Sequence, residues 1–184
     1  MVMNLIKTML DGLFLLKPTV INDNRGCFME SYHQKNINKL IGNVSFVQDN
    51  ESESFRGVLR GLHFQKPPYA QSKLVRCLKG KVLDVALDLR NESKTYGMIE
   101  TILLSEENKE QLFIPKGFAH GFVVLSESAT LSYKVDNYYK PEFESGIIWN
   151  DPDLNIDWRI NKSEIVVSEK DKNLPTFNEI INPF

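Results

Sequence analysis

The sequence predicts an all-β protein, a barrel or jelly roll with short helices at its ends, and three observations lead there. Short apolar or alternating stretches recur along the chain, separated by Gly, Pro and polar turns. Helical spacing is confined to Gln34–Ile41 and a stretch near the C-terminus. No Pro/Ser linker, repeat or low-complexity segment divides the 184 residues, so 1–184 reads as one domain with a sizeable core.

In chain order, strands are expected at 28–33, 46–51, 58–65, 73–78 and 82–89, and then at 98–104, 111–114, 121–125, 130–135 and 146–149. The clearest is 82–89. There Leu83, Val85, Leu87 and Leu89 share one face while Asp84 and Asp88 share the other. Ser168-Glu-Lys-Asp171 has the outline of a helix cap in the C-terminal stretch. The segment before Leu16 is apolar but is interrupted by Lys7 and Asp11, and reads as an ordinary start rather than a signal core. Nothing approaches a membrane span of roughly 20 apolar residues.

Composition narrows the function. The formal net charge of -2 supplies no basic field to attract nucleic acid. A few clustered arginines would still hold a diphosphate locally. The cysteines, Cys27 and Cys77, form no disulfide framework, which favours a cytoplasmic setting.

The three histidines are the natural place to look for chemistry. His33 ends an alternating stretch beside Gln34 and Lys35 and reads as a solvated surface residue. His63 lies in Arg60-Gly-Leu-His-Phe-Gln65, among apolar neighbours, where a hydrogen-bonded core histidine is the competing reading. Strict alternation would put Arg60 and His63 on opposite faces. A bulge at Gly61 would reset the register and bring both to one cavity. His120 follows a Pro-Gly turn in Pro115-Lys-Gly-Phe-Ala-His120, and this spacing resembles the second motif of the cupin barrels. Gly57 and His63 echo the first motif, but Gln65 stands where metal-binding cupins place a second histidine, and Pro67-Pro68 follow with no carboxylate nearby. Two histidines fall short of the three or four protein ligands of zinc or iron sites. The expectation is therefore a cupin-like barrel with no metal site.

Acid–base groups remain. Lys73 opens an apolar strand, and its ammonium either reaches solvent along its stem or requires a partner inside. Tyr133 shares parity with Leu131 and Val135 and should face inward, as core or as a proton donor. Gln48, Asn50, Ser52 and Ser54 share a face that suits either a solvated edge strand or a ligand wall. Arg25, Phe28 and Glu30, in a turn entering a strand, suit either a nucleotide diphosphate or an ordinary salt-bridged turn.

Taken together, these stretches resemble the dTDP-4-dehydrorhamnose 3,5-epimerase family. The resemblance is carried by Asp23-x-Arg-Gly-x-Phe-x-Glu30, Gln48-Asp-Asn50, Gly57-Val-Leu-Arg-Gly-Leu-His-Phe-Gln65, Gln71-Ser-Lys-Leu-Val-Arg76, Ile114-Pro-Lys-Gly-Phe-Ala-His-Gly-Phe122, Tyr133-Lys134 and Trp149-Asn-Asp-Pro152. It runs from about Leu13 to about Asp171. It implies a double-stranded β-helix (jelly-roll) barrel and a cofactor-free isomerase that inverts C3 and C5 of dTDP-4-dehydro-6-deoxy-D-glucose. A relative inverting only C3 or only C5 is the alternative. The resemblance further implies His63 as base oriented by Asp171, Tyr133 as acid on the opposite face, and Lys73 beside the C4 ketone. Substrate contacts would come from Arg25, Phe28, Glu30, Gln48, Asn50, Arg60, His120, Glu144 and Lys170. It also implies a homodimer in which Arg25, Phe28 and Glu30 reach the partner's site by strand exchange. Phe55-Arg56, Trp158-Arg159 and Cys77 depart from the family's usual residues, away from those positions.

Overall fold

The computed structural model describes residues 3–184. Two antiparallel sheets face each other. The larger has six strands in the order β1 (Met3–Lys7), β2 (Phe14–Pro18), β10 (Gln111–Ile114), β7 (Lys73–Lys79), β12 (Ser128–Val135) and β5 (Gln48–Phe55). The smaller runs β13 (Glu144–Gly146), β6 (Leu59–Gln65), β11 (Phe118–Val124), β8 (Lys81–Asp88) and β9 (Ile99–Ser105). A separate hairpin joins β3 (Ile21–Asp23) to β4 (Gly26–Phe28). This is the jelly roll that the spacing of strands and turns predicted, and the cupin-like form that the motif ending at His120 suggested.

Between the sheets lies a core of Val75, Cys77, Leu112, Ile114, Ala129 and Leu131 from the larger sheet, against Val82, Ala86, Leu104, Phe118, Phe122 and Val124 from the smaller. Each large side chain buried here contributes roughly 1.5–3 kcal/mol. The outer faces are covered too. Leu83, Val85 and Leu87 pack beneath the C-terminal segment, which supplies Trp158, Ile156, Phe177 and Phe184. Helix α1 (Gln34–Ile41) lays Ile37, Leu40 and Ile41 over Leu16, Leu74 and Phe113. It ends where Gly42, at φ 92°, turns its N–H back to Asn38.

That double coverage changes the reading of β8. Its alternation does not separate core from solvent, because every residue from Val82 to Asp88 is buried. The apolar face meets the C-terminal segment, and Asp84 and Asp88 face the barrel interior, each 0% exposed. Both carboxylates are partnered, as burial requires. Asp88 accepts from Arg90 Nε at 2.8 Å, Ser93 Oγ at 2.6 Å and Thr95 Oγ1 at 2.7 Å. Burial alone would raise its pKa, but these bonds hold it down at about 2.

Several expected boundaries move. The stretch at 28–33 is not a strand: Phe28 ends the β3–β4 hairpin, and among the described residues no strand pairs with 29–33. Asp23 closes that hairpin by accepting the Arg25 N–H at 2.8 Å. The strand expected at 146–149 ends at Gly146, and the strand at 46–51 runs instead as Gln48–Phe55. The apolar N-terminal segment, read as an ordinary start, forms β1 and β2.

Candidate active site

One end of the space between the sheets is open, and polar groups collect there. The cavity measures about 270 Å³ and is lined by Gln48, Asn50, His63, Gln65, Gln71, Lys73, Tyr133, Tyr139 and Glu144, with Phe64. His63 and Tyr133 therefore share one compartment while coming from opposite sheets.

His63 reaches the cavity because β6 is irregular. Its pairing with β11 places His63 opposite His120 but Arg60 opposite Phe122, so three steps on one strand meet two on the other. The slip falls at Gly61, as a bulge there predicts. Gly61 has φ +133°, and a Cβ on it would lie 2.4 Å from the Gly121 Cα, so only glycine fits. His63 lines the cavity but Arg60, expected beside it, does not; the exposed Arg60 puts its Nε 3.1 Å from Ser54 Oγ. On the other side of His63 stands α2 (Glu169–Lys172), a single turn capped as its sequence suggests: the Asp171 N–H donates to Ser168 Oγ at 3.1 Å. The cap aims Asp171 at His63, with Oδ1 2.8 Å from Nε2. Burial would raise the Asp171 pKa, but the bond from His63 and the Gly61 N–H at 3.4 Å hold it below the usual carboxylate range. An ionised carboxylate only accepts, so Nε2 carries a proton toward Asp171 and Nδ1 is the ring nitrogen turned away from it.

Lys73 faces inward, not along its stem to solvent. Burial drives its pKa down to about 8, partly offset by the charges of Asp84 and Glu144. Tyr133 is packed against the inter-sheet core. Burial raises its pKa, Arg60's charge opposes this and Glu144's adds to it, so the phenol keeps its proton at neutral pH.

His120 does not line the cavity. It is 8% exposed, with Nε2 2.9 and 3.0 Å from the two oxygens of Asp84. Burial lowers its pKa against the pull of Asp84, and the nearby Lys73 and His63 lower it further. Of the polar β5 face, Gln48 and Asn50 form cavity wall, bonded to each other at 2.9 Å. Ser54 is buried against Arg60, and the Ser52 hydroxyl is buried without a partner. Glu144 joins the Lys170 ammonium in an ion pair and accepts from the Tyr139 hydroxyl at 2.6 Å. Burial would raise its pKa, but those two bonds keep it low.

Arg25 and Phe28 lie elsewhere in the chain's own fold. Residues 21–28 are all exposed, Arg25 pairs with Asp23 at 2.6 Å, and Phe28 is 65% exposed. Glu30 accepts from Asn36 Nδ2 at 3.0 Å, also away from the cavity. Sequence reasoning missed Tyr139, Gln71 and the wall role of Gln65. It passed over Asp84 as His120's partner, although a carboxylate in mid-strand with apolar neighbours was a usable signal. Among the described residues, no three His, Cys, Asp or Glu side chains cluster as metal ligands. None of their helices is long and apolar enough to cross a membrane.

An imidazole held through Nε2 by a carboxylate, an ammonium and a protonated phenol around one small cavity are equipment for moving protons on a carbonyl compound. Fold and site together define a cupin-like barrel built for acid–base chemistry on a small polar ligand. The family model for dTDP-4-dehydrorhamnose 3,5-epimerase matches residues 7–179, and the chain belongs to that family. It is 51% identical over 180 residues to the dTDP-4-dehydrorhamnose 3,5-epimerase of Escherichia coli K12, covering 97% of each chain. It superposes on the crystal structure of that enzyme from Elizabethkingia anophelis with a TM-score of 0.94, at 52% identity and covering 98% of each chain. The epimerase of Legionella pneumophila, solved with dTDP-4-keto-L-rhamnose, gives a TM-score of 0.93 at 47% identity, covering 97% of this chain and 94% of that one.

Proposed function

We propose that this chain inverts C3 and C5 of dTDP-4-dehydro-6-deoxy-D-glucose to give dTDP-4-dehydro-L-rhamnose, in the cytoplasm. The observation that carries this reading is the 2.8 Å contact between His63 and Asp171 on a cavity that Lys73 and Tyr133 also line.

The chemistry asks for these groups. Loss of a proton from C3 or C5 places the electron pair on the C4 oxygen as an enolate, so the ketone is its own electron sink and no cofactor is needed. His63 Nδ1 takes the proton, with Asp171 holding the ring in the required tautomer. Positioned acid–base catalysis of this kind contributes about 10²–10⁴-fold. The Lys73 ammonium donates to the C4 oxyanion, a contribution of about 3 kcal/mol for one well-placed donor. Tyr133, on the opposite sheet, returns a proton to the other face of the carbon, which inverts it. His63 then releases its proton to solvent and the Tyr133 phenolate takes one back from solvent, which resets both groups, and the same cycle at the second carbon completes the reaction. Gln48, Asn50, Arg60, Glu144 and Lys170 ring the mouth as substrate contacts, and His120 backs the wall beside Lys73.

A cavity of about 270 Å³ holds a sugar but not a whole nucleotide sugar, so the diphosphate and base extend past the mouth. In this reading the exposed hairpin serves there. Among the described residues its strands pair only with each other, and the exposed Arg25 and Phe28, with Glu30 beyond them, would stand at the mouth of a second copy's cavity in a homodimer. Arg25 would meet the diphosphate and Phe28 the thymine. Cys27 and Cys77 are both free, in keeping with a reducing compartment.

The test is NMR in deuterated water with dTDP-4-dehydro-6-deoxy-D-glucose. Deuterium at C3 and C5, and a rhamnose product after a reductase is added, support the proposal. Label at only one carbon would make the chain a single-site epimerase. His63→Asn should abolish wash-in at both carbons, and normal wash-in would remove His63 from the base role. Tyr133→Phe should spare part of the exchange while suppressing inverted product. Full epimerisation by that variant would show that another group is the acid.

A further inference from the structure

His63 and Gln65 share one face of β6 and both line the cavity, but Gln65 has no part in the proton transfers described. It is 4% exposed, and its amide is almost fully engaged by the protein's own backbone. Nε2 donates to the Tyr69 carbonyl at 2.7 Å and to the Tyr138 carbonyl at 3.2 Å, while Oε1 accepts from the Lys140 N–H at 2.6 Å. A primary amide has two hydrogens and two lone pairs. Both hydrogens and one lone pair are taken, so nothing is left that could donate to a keto oxygen or a phosphate.

The three partners lie on two loops, 66–72 and 136–143. These loops also hold each other. Gln71 Nε2 donates to the Asn137 carbonyl at 2.8 Å, and Asn137 Nδ2 donates to the Pro68 carbonyl at 3.1 Å. The Tyr69 and Phe143 rings stand 4.6 Å apart between centroids. The second loop carries Tyr139 and leads directly into Glu144, whose strand pairs with Gln65 itself. Burial pays for this only if every polar group is matched, and Gln65 matches one group from the first loop and two from the second.

We propose that Gln65 is a positioning residue. Its amide clamps the two loops into one wall and so fixes the Tyr139–Glu144 pair at the cavity mouth, where that pair binds the hydroxyl groups of the sugar. The inference rests on the sugar-nucleotide reading of this cavity. It also accounts for a glutamine at the position where metal-binding relatives of the barrel place a histidine: here the side chain is committed to the loops.

Two variants test it. Gln65→Glu keeps the acceptor for Lys140 and loses both donors; Gln65→Met keeps length and loses everything. For each, KM for the sugar nucleotide should rise roughly 10–100-fold, as for one or two lost buried hydrogen bonds. The kcat at saturation should stay within about threefold, because His63, Asp171, Lys73 and Tyr133 are untouched. Amide hydrogen exchange gives a readout independent of turnover: Lys140 should lose protection in Gln65→Met and keep it in Gln65→Glu. Unchanged KM in both variants overturns the proposal, as does a fall in kcat at constant KM, or a Lys140 amide as protected in Gln65→Met as in the native chain. If Gln65→Met does not fold, the KM and kcat of Gln65→Glu decide. A native chain that neither exchanges label nor turns over would sink the functional reading, while the Lys140 amide would still judge the clamp.

Discussion

Replacing Lys73 with methionine should make the protein more stable and a far poorer catalyst. The two side chains are of similar length, so the change removes a charge and little volume. Burial lowers the Lys73 pKa from 10.5 to about 8, which means that the folded protein resists the ammonium that the unfolded chain accepts freely. At about 1.4 kcal/mol per tenfold, that difference corresponds to on the order of 3 kcal/mol at neutral pH. The side chain faces a cavity open at one end, and solvent there reduces the figure to about 2 kcal/mol. The sign follows from proton binding. Between pH 8 and 10.5 the unfolded chain holds more protons than the folded one, so native stability rises with pH across that window. Below it the native protein bears the full cost of the charge. The stability advantage of Lys73→Met should therefore be full below pH 8 and vanish by about pH 10.5. Urea denaturation of both proteins at pH 7 and pH 10 measures this, and kcat/KM should fall about 10²–10³-fold in the same variant. The native kcat/KM should itself decline as pH rises through about 8, where the free enzyme loses the ammonium. A variant less stable than the native protein at pH 7, or an advantage that does not shrink by pH 10, would refute the buried-ammonium argument.

Other perturbations reach different parts of the design. Asp171→Asn should lower kcat/KM by about 10²–10⁴-fold with substrate binding largely kept, because an amide facing Nε2 no longer selects the tautomer that leaves Nδ1 free; a loss below tenfold would mean that Asp171 does not orient the ring. Gly61→Ala should destabilise by about 3 kcal/mol or more, since φ +133° and a contact of 2.4 Å with Gly121 both exclude a Cβ; a urea midpoint close to native would show that the strands part easily there. Asp88 sits near 2 when folded and near 3.8 when unfolded, so it stabilises fully above pH 3.8 and progressively less as pH falls through 2. Asp88→Asn should cost about 2 kcal/mol at pH 7 and clearly less at pH 3, and an equal cost at both would show that the charge is not what matters.

The barrel could be read from the sequence because strand length, turn residues and motif spacing are local properties. β10 was located at its true bounds, and β7, β8 and β12 to within two residues at either end. The failures share one cause. At 28–33 the aromatic residues and the preceding turn suggest a strand, but a strand exists only if another chain segment lies beside it, and pairing is not encoded in one segment's own pattern. The apolar residues of β1 and β2 failed the same way in reverse: each strand exists because the other, with β10, lies alongside. Within the site, Lys73 was ambiguous because its stem can lead either way, and only the closing of both sheets around it decides. Gly61 was the most informative single residue, since a glycine interrupting a strand is a local sign of a local irregularity. Tyr139 gave no such sign. It follows Tyr138 in a loop, and its partners are distant in sequence: its N–H donates to Gln48 Oε1 at 3.2 Å, beside the Tyr138 carbonyl that Gln65 holds.

The same physical arrangement explains why the site lies at one end of the barrel. β7 and β12 run side by side through the larger sheet, and their paired inward residues change character along the way. Cys77 opposite Leu131 lies deep in the inter-sheet core, whereas Tyr133, opposite the still buried Val75, reaches the cavity. One step beyond, β7 begins with Lys73. A barrel of this size needs the apolar half to fold, and that half also excludes water from behind the polar one, which lowers the Lys73 pKa and keeps the Tyr133 proton in place. Stability and reactivity are thus set by the same strands, and a substitution such as Leu131→Ala, far from any substrate atom, should act on both. The cavity it leaves would cost about 2–5 kcal/mol. Water entering behind Tyr133 would relax the Lys73 pKa toward 10.5, so the alkaline limb of kcat/KM should move above pH 8 in that variant. A limb that stays in place while stability falls would separate the core from the chemistry and sink this coupling.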